Sequence, residues 1–409
     1  MSLLLRNRGA ILLLMGNILL VFTGIGLVIP VMPAYMRELD LNGSILGFMV
    51  AAFSLAQLLF SPLAGRLSDS FGRKKMIVAG VTLFALSEWM FGAVSEPWLL
   101  FVSRILGGIG AAFSMPSIMA YVADVTSNEE RAKGMGYINA AITTGFIIGP
   151  GIGGYLAEYG VRVPFYVAGI AGGVAAIVTL LVLPESKAKA APMAAALAPS
   201  KAKASASASA GEPSFMSQLL TSYKQPYFFS LIIVLVASFG LANYETVFGL
   251  YVDHRFGFTA TDIAFIITFG SIAGAVVQVT IFGWILNRFG EQNVITWSLF
   301  IAGLFVLLML LTNNYWMVFV VTFFLFLSVD ILRPAIGTQI SKMANDQQGY
   351  LAGLNSAFTS LGNILGPITA GVLFDMNINF PYASAGIVLL LCFLLSMRAG
   401  KKKSVPARG

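Results

Sequence analysis

One cysteine, Cys392, and one histidine, His254, stand in a chain of 409 residues. No internal disulfide can form, and no Cys/His metal cluster can be assembled, so a bound metal is not expected. Charge is scarce as well: 11% of the residues are charged, against roughly 25% in soluble proteins. No GxxxxGK[ST] stretch occurs, which leaves no ATP-binding loop, and neither an HExxH nor a Ser/His constellation is present. No enzymatic activity and no cofactor are expected.

What the chain has in quantity is apolar surface, with 57% of its residues hydrophobic. Spanning the hydrocarbon of a bilayer takes about 20 mostly apolar residues in a helix. Such runs recur over 10–36, 44–66, 76–96, 98–123, 132–157, 163–184, 226–252, 262–286, 292–312, 315–340, 350–374 and 380–398. The first is not a cleavable signal, because it lacks a small-residue cleavage site and further spans follow at once. The expected class is an all-α integral membrane protein with 12 transmembrane helices.

The net charge of +7 follows topology rather than a nucleic-acid partner. Most Lys and Arg residues fall in the termini and even-numbered loops, and only Arg37, Arg162 and Arg255 fall in the odd-numbered ones. Positive charge is retained on the cytoplasmic side, so both termini are expected there, in a multi-pass protein of the cell membrane.

Between spans six and seven lies ESKAKAAPMAAALAPSKAKASASASAGEP, residues 185–213. An Ala/Ser/Lys/Pro tract of this kind buries too little surface to offset the entropy of ordering it. The expected layout is a six-helix bundle over 1–184, a cytoplasmic linker over 185–225 that is largely disordered over 186–213, a second six-helix bundle over 226–398, and a tail over 399–409.

The two bundles read as copies. Residues 128–158, NEERAKGMGYINAAITTGFIIGPGIGGYLAE, align without gaps to 345–375, NDQQGYLAGLNSAFTSLGNILGPITAGVLFD, at an offset of 217. Gly145 meets Gly362, Gly149–Pro150 meets Gly366–Pro367, and Glu158 meets Asp375. At an offset of 218, Pro116 meets Pro334, and Gly65 and Gly72 meet Gly283 and Gly290. Parallel six-span repeats put the substrate site near the bilayer midplane between the halves, and transport follows from rocking one half on the other.

Residues 145–154, GFIIGPGIGG, place Gly145, Gly149 and Gly153 at four-residue spacing. That spacing lets two helix backbones approach closely in lipid. Two readings stand: a kinked helix at the interface of the halves that repacks when they rock, and a static small-residue contact. A GxGxxG nucleotide loop is excluded, since Gly149-x-Gly151-x-x-Gly154 follows no strand and lies within a span.

Together these residues resemble a family. GFIIGPGIGG matches the fifth-helix motif GxxxGPxxGG of proton-coupled antiporters in the major facilitator superfamily, and GRLSDSFGRKK at 65–75 resembles its signature between helices two and three. SFGLANYETVFGLY at 238–251, VDILRPAI at 329–336 and AGLNSAFTS at 352–360 are similar to the NorA/Bmr group of multidrug efflux pumps. Ser70 and Gly107 depart from the superfamily pattern, which has a basic and a polar residue there. The resemblance implies the major facilitator fold and export of small-molecule drugs in exchange for protons, with membrane lipid as surroundings, no ATP and a monomeric state. A facilitator or proton symporter for a sugar or other narrow nutrient class is the alternative.

Charges within spans are costly, about 2.5–3.5 kcal/mol at the membrane centre on insertion scales. They are Glu88, Arg104, Glu245, Asp330 and Arg333. Asp330 and Arg333 are three apart on one helix face and are able to neutralise each other, which leaves Glu245 without a sequence-local partner. In the functional reading, supported by the resemblance, Glu245 and Asp330 carry protons and sense cations beside Arg333. The resemblance gives Arg104 a part in proton transfer, while an orientation-setting, snorkelling arginine is the competing reading. Glu88 reads as a cavity residue or a helix-packing group.

Tyr244, Phe248 and Tyr251 fall at i, i+4, i+7 around Glu245 and offer stacking and cation–π surface to a drug. In the first half, Asn17, Ile25, Gln57, Met115, Asn139 and Phe146 are the expected lining. Gating is expected from Gly65, Asp69, Gly72 and Arg73 in the 65–75 loop, with a positive-inside anchor as the plainer reading, and from Gly145, Gly149, Pro150, Gly153 and Gly154.

Overall fold

A computed structural model describes residues 6–186, 227–343 and 348–403. Twelve helices long and apolar enough to cross a membrane follow one another among these residues, as the spacing of apolar runs predicts, and no strand occurs among them. They are α1 (Arg6–Val28), α2 (Gly43–Phe71), α3 (Arg73–Ala93), α4 (Pro97–Val125), α5 (Asn128–Ala157), α6 (Val163–Val182), α7 (Phe228–Phe256), α8 (Ala260–Thr280), α9 (Glu291–Leu308), α10 (Tyr315–Met343), α11 (Gln348–Met376) and α12 (Phe380–Lys403). Pro30 and Pro33 remove amide donors and break the first span, which passes through a 3₁₀ turn, Ile29–Val31, into a short helix, Met32–Glu38. The expected 185–225 linker lies outside the described residues from 187 onward. Its first two residues fold back on the bundle: Glu185 accepts from the Lys74 amide at 3.0 Å, and the Ser186 hydroxyl donates to Asp124 at 2.8 Å. The last helix runs on to Lys403, past the expected boundary at 398.

Contacts sort the helices into α1–α6 and α7–α12, joined mainly through α2 on α11 and α5 on α8. The chain alternates between two ends of the bundle, so the loops after Glu38, Ala93, Ala157, Phe256, Leu311 and Met376 share the end away from the termini. At this far end the halves touch closely. Methyl groups added to Gly47 and Gly154 would run into Pro367 and Ala264 of the opposite half, and Arg37 pairs with Asp253 across the divide. Towards the termini, Gly65, Gly136, Gly283, Gly337 and Gly353 have open space where a side chain would stand. The bundle is closed at the far end and parted at the termini end.

A cross-half helix cap holds the far end shut. The first amides of a helix lack internal partners, and at α2 Asn42 satisfies only Ile45, at 3.0 Å. Asp375, at the end of α11, takes the next two: its carboxylate accepts from the Gly43 and Ser44 amides at 2.8 and 2.9 Å and from the Ser44 hydroxyl. The negative charge also faces the positive end of the α2 dipole. Asp375→Asn keeps one good acceptor and loses the charge, weakening the clamp by roughly 1 kcal/mol after solvent screening. That amounts to about a fivefold rise in the far-end-open population. Distances between spin labels at Asp40 and Met376, measured on a Cys392→Ser background, are expected to gain a long component; an unchanged distribution would remove Asp375 from the clamp.

The small-residue stripe of α5 corrects the sequence reading. Gly145, Gly149 and Gly153 pack on α1 of their own half, not across the interface: side chains there would strike Phe22 and Thr23, Gly26, and the backbone of Leu27. Pro150 fills the space beside Gly26 in the same contact. It is the opposite side of α5, through Gly151 and Gly154, that meets α8 of the other half at Thr268 and Ala264. Spacing fixes the face of a helix but not its partner. The repeat recurs in three dimensions, since Gly362 and Gly366 of α11 pack on Ser238, Phe239 and Ala242 of α7.

Candidate functional site

Glu245 is exposed although it lies in the middle of α7. Its direction follows from helical geometry. Gly249, one turn towards the far end on the same face, sits against Pro33 of the other half, where an added Cβ would come within 2.7 Å of the proline ring. Glu245 therefore looks into the gap between the halves, just inside the level at which they close. Residues spaced by four share a face, which puts Glu245 on the side of α7 that Gly249 turns to the other half.

Asp330 and Arg333 reach the same region from α10. Both lie within electrostatic reach of the Glu245 carboxylate. Asp330 is half-buried against α8, where Gly274 makes room for it: a Cβ at Gly274 would occupy the position of the carboxylate oxygen. Arg333 is exposed. Although three apart, Asp330 and Arg333 form no ion pair, so the mutual-neutralisation reading does not describe this conformation. Three charges of mixed sign thus stand within electrostatic range of one another without saturating hydrogen bonds. Such a cluster can exchange a proton or a cationic ligand, which a closed salt bridge would resist.

The aromatic stripe beside Glu245 is core, contrary to the sequence reading. Tyr244, Phe248 and Tyr251 are at most 2% exposed. Tyr244 stacks on Phe248 with ring centroids 5.3 Å apart, exchanges a hydrogen bond of 2.8 Å with Thr322 on α10, and meets Tyr382 of α12 edge-on. Tyr251 packs against Tyr382 at 4.5 Å and donates to the Met309 carbonyl. The i, i+4, i+7 pattern found a real face of α7, and that face is turned away from the gap.

On the first half, Asn139 and Phe146 are both exposed and seven apart on α5, on the side opposite the exposed Ile148 and Tyr155. The apolar pair suits lipid, and the side carrying the amide suits the gap between the halves. Phe146 also meets Phe22 of α1, edge to face at 5.0 Å. Gln57, Met115 and Ile25 are half-buried. Asn17 is withdrawn from the lining: it is 3% exposed and donates to Thr179 of α6.

Arg104 stands apart from the acids of the second half. It pairs with Glu88 of α3 at 3.6 Å, with its guanidinium carbon 3.8 Å from the centre of the Phe91 ring. It does not snorkel. Glu88 Oε2 and Arg104 Nε and Nη2 are buried without a hydrogen bond among the described residues. Glu88 is the partner that sequence reading left unassigned; its depth in α3 was the only signal.

In the 65–75 loop, Gly72 turns the chain at φ 102°, where a side chain would be strained. Arg73 bonds to Asp69 at 2.6 Å and to Asp124 at 3.3 Å, all within the first half. Asp69 does not reach across the interface, as expected where the halves are parted.

Residues 14–279 and 230–408 match the sequence model of the Major Facilitator Superfamily. The chain is 45% identical over 393 residues to Multidrug resistance protein 2 of Bacillus subtilis, covering 96% of each chain. It is 40% identical over 375 residues to Quinolone resistance protein NorA of Staphylococcus aureus, covering 91% of this chain and 92% of that one. Among solved structures, a bacterial homologue of the human lysosomal transporter Spinster superposes with a TM-score of 0.77 at 15% identity, covering 97% of this chain and 98% of the other.

Proposed function

This chain belongs to the Major Facilitator Superfamily, and on that premise we propose that it is a proton-driven multidrug antiporter of the cell membrane. It is a transporter and not an enzyme. It exports amphipathic, often cationic drugs and dyes by alternating access, and its multidrug and quinolone resistance relatives support that cargo over a narrow nutrient class. The termini end is cytoplasmic and the far end external, a reading supported by the sorting of basic residues into the termini and even-numbered loops. The conformation is then open to the cytoplasm and closed to the outside. The protein works as a monomer without ATP.

Glu245 and Asp330 exchange protons and meet cationic cargo, with Arg333 setting the local field and Arg104 held in reserve by Glu88. Asn139, Phe146, Gln57, Met115 and Ile25 supply lining in the first half. Gly65, Asp69, Gly72 and Arg73 form a cytoplasmic latch that engages when that end closes, while Gly145, Gly149, Pro150 and Gly153 carry α5 and α1 as one body and Gly154 rides on α8.

The observation that carries this reading is the exposed Glu245 carboxylate, aimed into the gap beside Asp330 and Arg333. A charge retained there at such cost marks a functional site. Purified protein in liposomes with an acidic lumen is expected to concentrate ethidium inside, with no nucleotide present. Accumulation that is the same with and without the pH gradient would overturn proton coupling.

A further inference from the structure

The internal repeat makes an outer cavity conspicuous. At the offset of 217 that superposes Glu158 on Asp375, Ala260–Thr261 superpose on Gly43–Ser44. Two equivalent cross-half caps would therefore be expected at the far end, and only one is made. Asp375 closes its side with three bonds. On the other side, α8 caps itself: Thr259 Oγ1 accepts from the Asp262 amide at 3.2 Å, and Asp262 accepts from the Thr259 amide at 2.9 Å. Glu158, displaced from the helix start, has among the described residues only a long 3.4 Å contact with the Thr261 hydroxyl. Its exposed carboxylate opens instead on a cavity of about 610 Å³ between the halves.

We propose that this cavity is a second ligand site, taking a small organic cation, an amine or quaternary ammonium with a compact apolar body. The charge balance selects the sign: Arg37 and Asp253 at the rim neutralise each other, and with His254, also in the lining, counted as neutral at pH 7, Glu158 is left as the surplus charge. Pro33 and Ile263 offer the apolar wall, and the volume lies within the range of about 300–1,000 Å³ usual for small-molecule sites. The site is separate from the gap at Glu245, because the Gly249–Pro33 and Gly154–Ala264 contacts lie between them.

Its walls come from both halves, Pro33 and Glu158 on one side and Asp253 and Thr261 on the other. They are brought together only while the far end is closed. A ligand here favours that state by its differential affinity and stalls transport without competing with cargo. The approach from outside rests on the orientation proposed above.

The probe is phenyltrimethylammonium, permanently charged and added outside right-side-out vesicles preloaded with ethidium. It is expected to lower the maximal efflux rate without raising KM. Glu158→Gln, which keeps normal efflux without the probe, should need at least about tenfold more probe, a loss of roughly 1.4 kcal/mol. A rise in KM alone, or equal sensitivity of Glu158→Gln, would overturn the second site by sending the probe to the gap. The binding arm does not depend on transport. In purified protein labelled at Asp40 and Met376, the probe should enrich the short distance in wild type and in Glu245→Gln, but not in Glu158→Gln. If wild type moved no dye yet showed that enrichment, the antiport reading would fail and the cavity site would stand; no enrichment in wild type would sink the site itself.

Discussion

Glu245→Gln is expected to reduce gradient-driven dye accumulation to the level of empty vesicles, while the protein still inserts, purifies as one species and lets dye equilibrate downhill. The swap is nearly isosteric, and the Glu245 side chain is exposed with no hydrogen bond among the described residues to lose, so folding has little reason to change. What disappears is the titratable charge. A carboxylate's proton affinity depends on its solvation and on neighbouring charges, and both change as the gap opens to one side and then the other. A neutral amide cannot follow that change, and cargo binding is uncoupled from the proton.

The same logic extends to Asp330→Asn and, more tellingly, to Gly274→Ala. The new methyl would occupy the place of the Asp330 carboxylate oxygen, displacing the acid without touching its chemistry. Gly274→Ala should lose uphill transport as Asp330→Asn does, whereas Gly283→Ala, in open space, should not. Full accumulation in Glu245→Gln and Asp330→Asn would remove both acids from coupling; full accumulation in Gly274→Ala alone would mean that Asp330 works from another position.

Sequence was a good guide wherever one physical requirement had one solution. Spans were legible because hydrocarbon demands long apolar helices, and the duplicated halves because Gly149–Pro150 and Gly366–Pro367 serve the same packing in each. It misled at Tyr244, Phe248 and Tyr251. In a soluble helix an apolar stripe points inward, but in a membrane helix core, lipid and drug pocket all accept aromatics, and a period of 3.6 does not separate them. Glu245 escaped that ambiguity because lipid does not tolerate a charge that lacks a sequence-local partner. The outer clamp was half-legible: aligning Glu158 with Asp375 marked both acids, but the divergence between them depends on Thr259 and Asp262 capping α8, a local pattern read only once the helix start was known.

Gly149→Val is expected to cost the protein its folded state. The α1–α5 contact is backbone on backbone: a Cβ on Gly149 would lie 2.7 Å from the Gly26 Cα and the Thr23 carbonyl oxygen, and neither can rotate away. Overpacking typically costs 1–3 kcal/mol and occasionally more. With rigid atoms on both sides the cost here is about 3 kcal/mol or above, a large share of the 5–15 kcal/mol that holds a domain together. Lipid sharpens the effect, since tails solvate a separated helix as well as a neighbour does, and close packing is most of what holds α1 to α5. Gly136→Val, on the same helix but in open space, is the matched control and should melt like wild type. Gly151→Ala, whose Cβ would make ordinary contact with Thr268 at 3.4 Å, should also fold and show any effect in transport alone. Thermal unfolding in detergent orders the three: if Gly149→Val melts with Gly136→Val, the stripe is not what joins α5 to α1, and the halves do not move as the rigid bodies that alternating access requires.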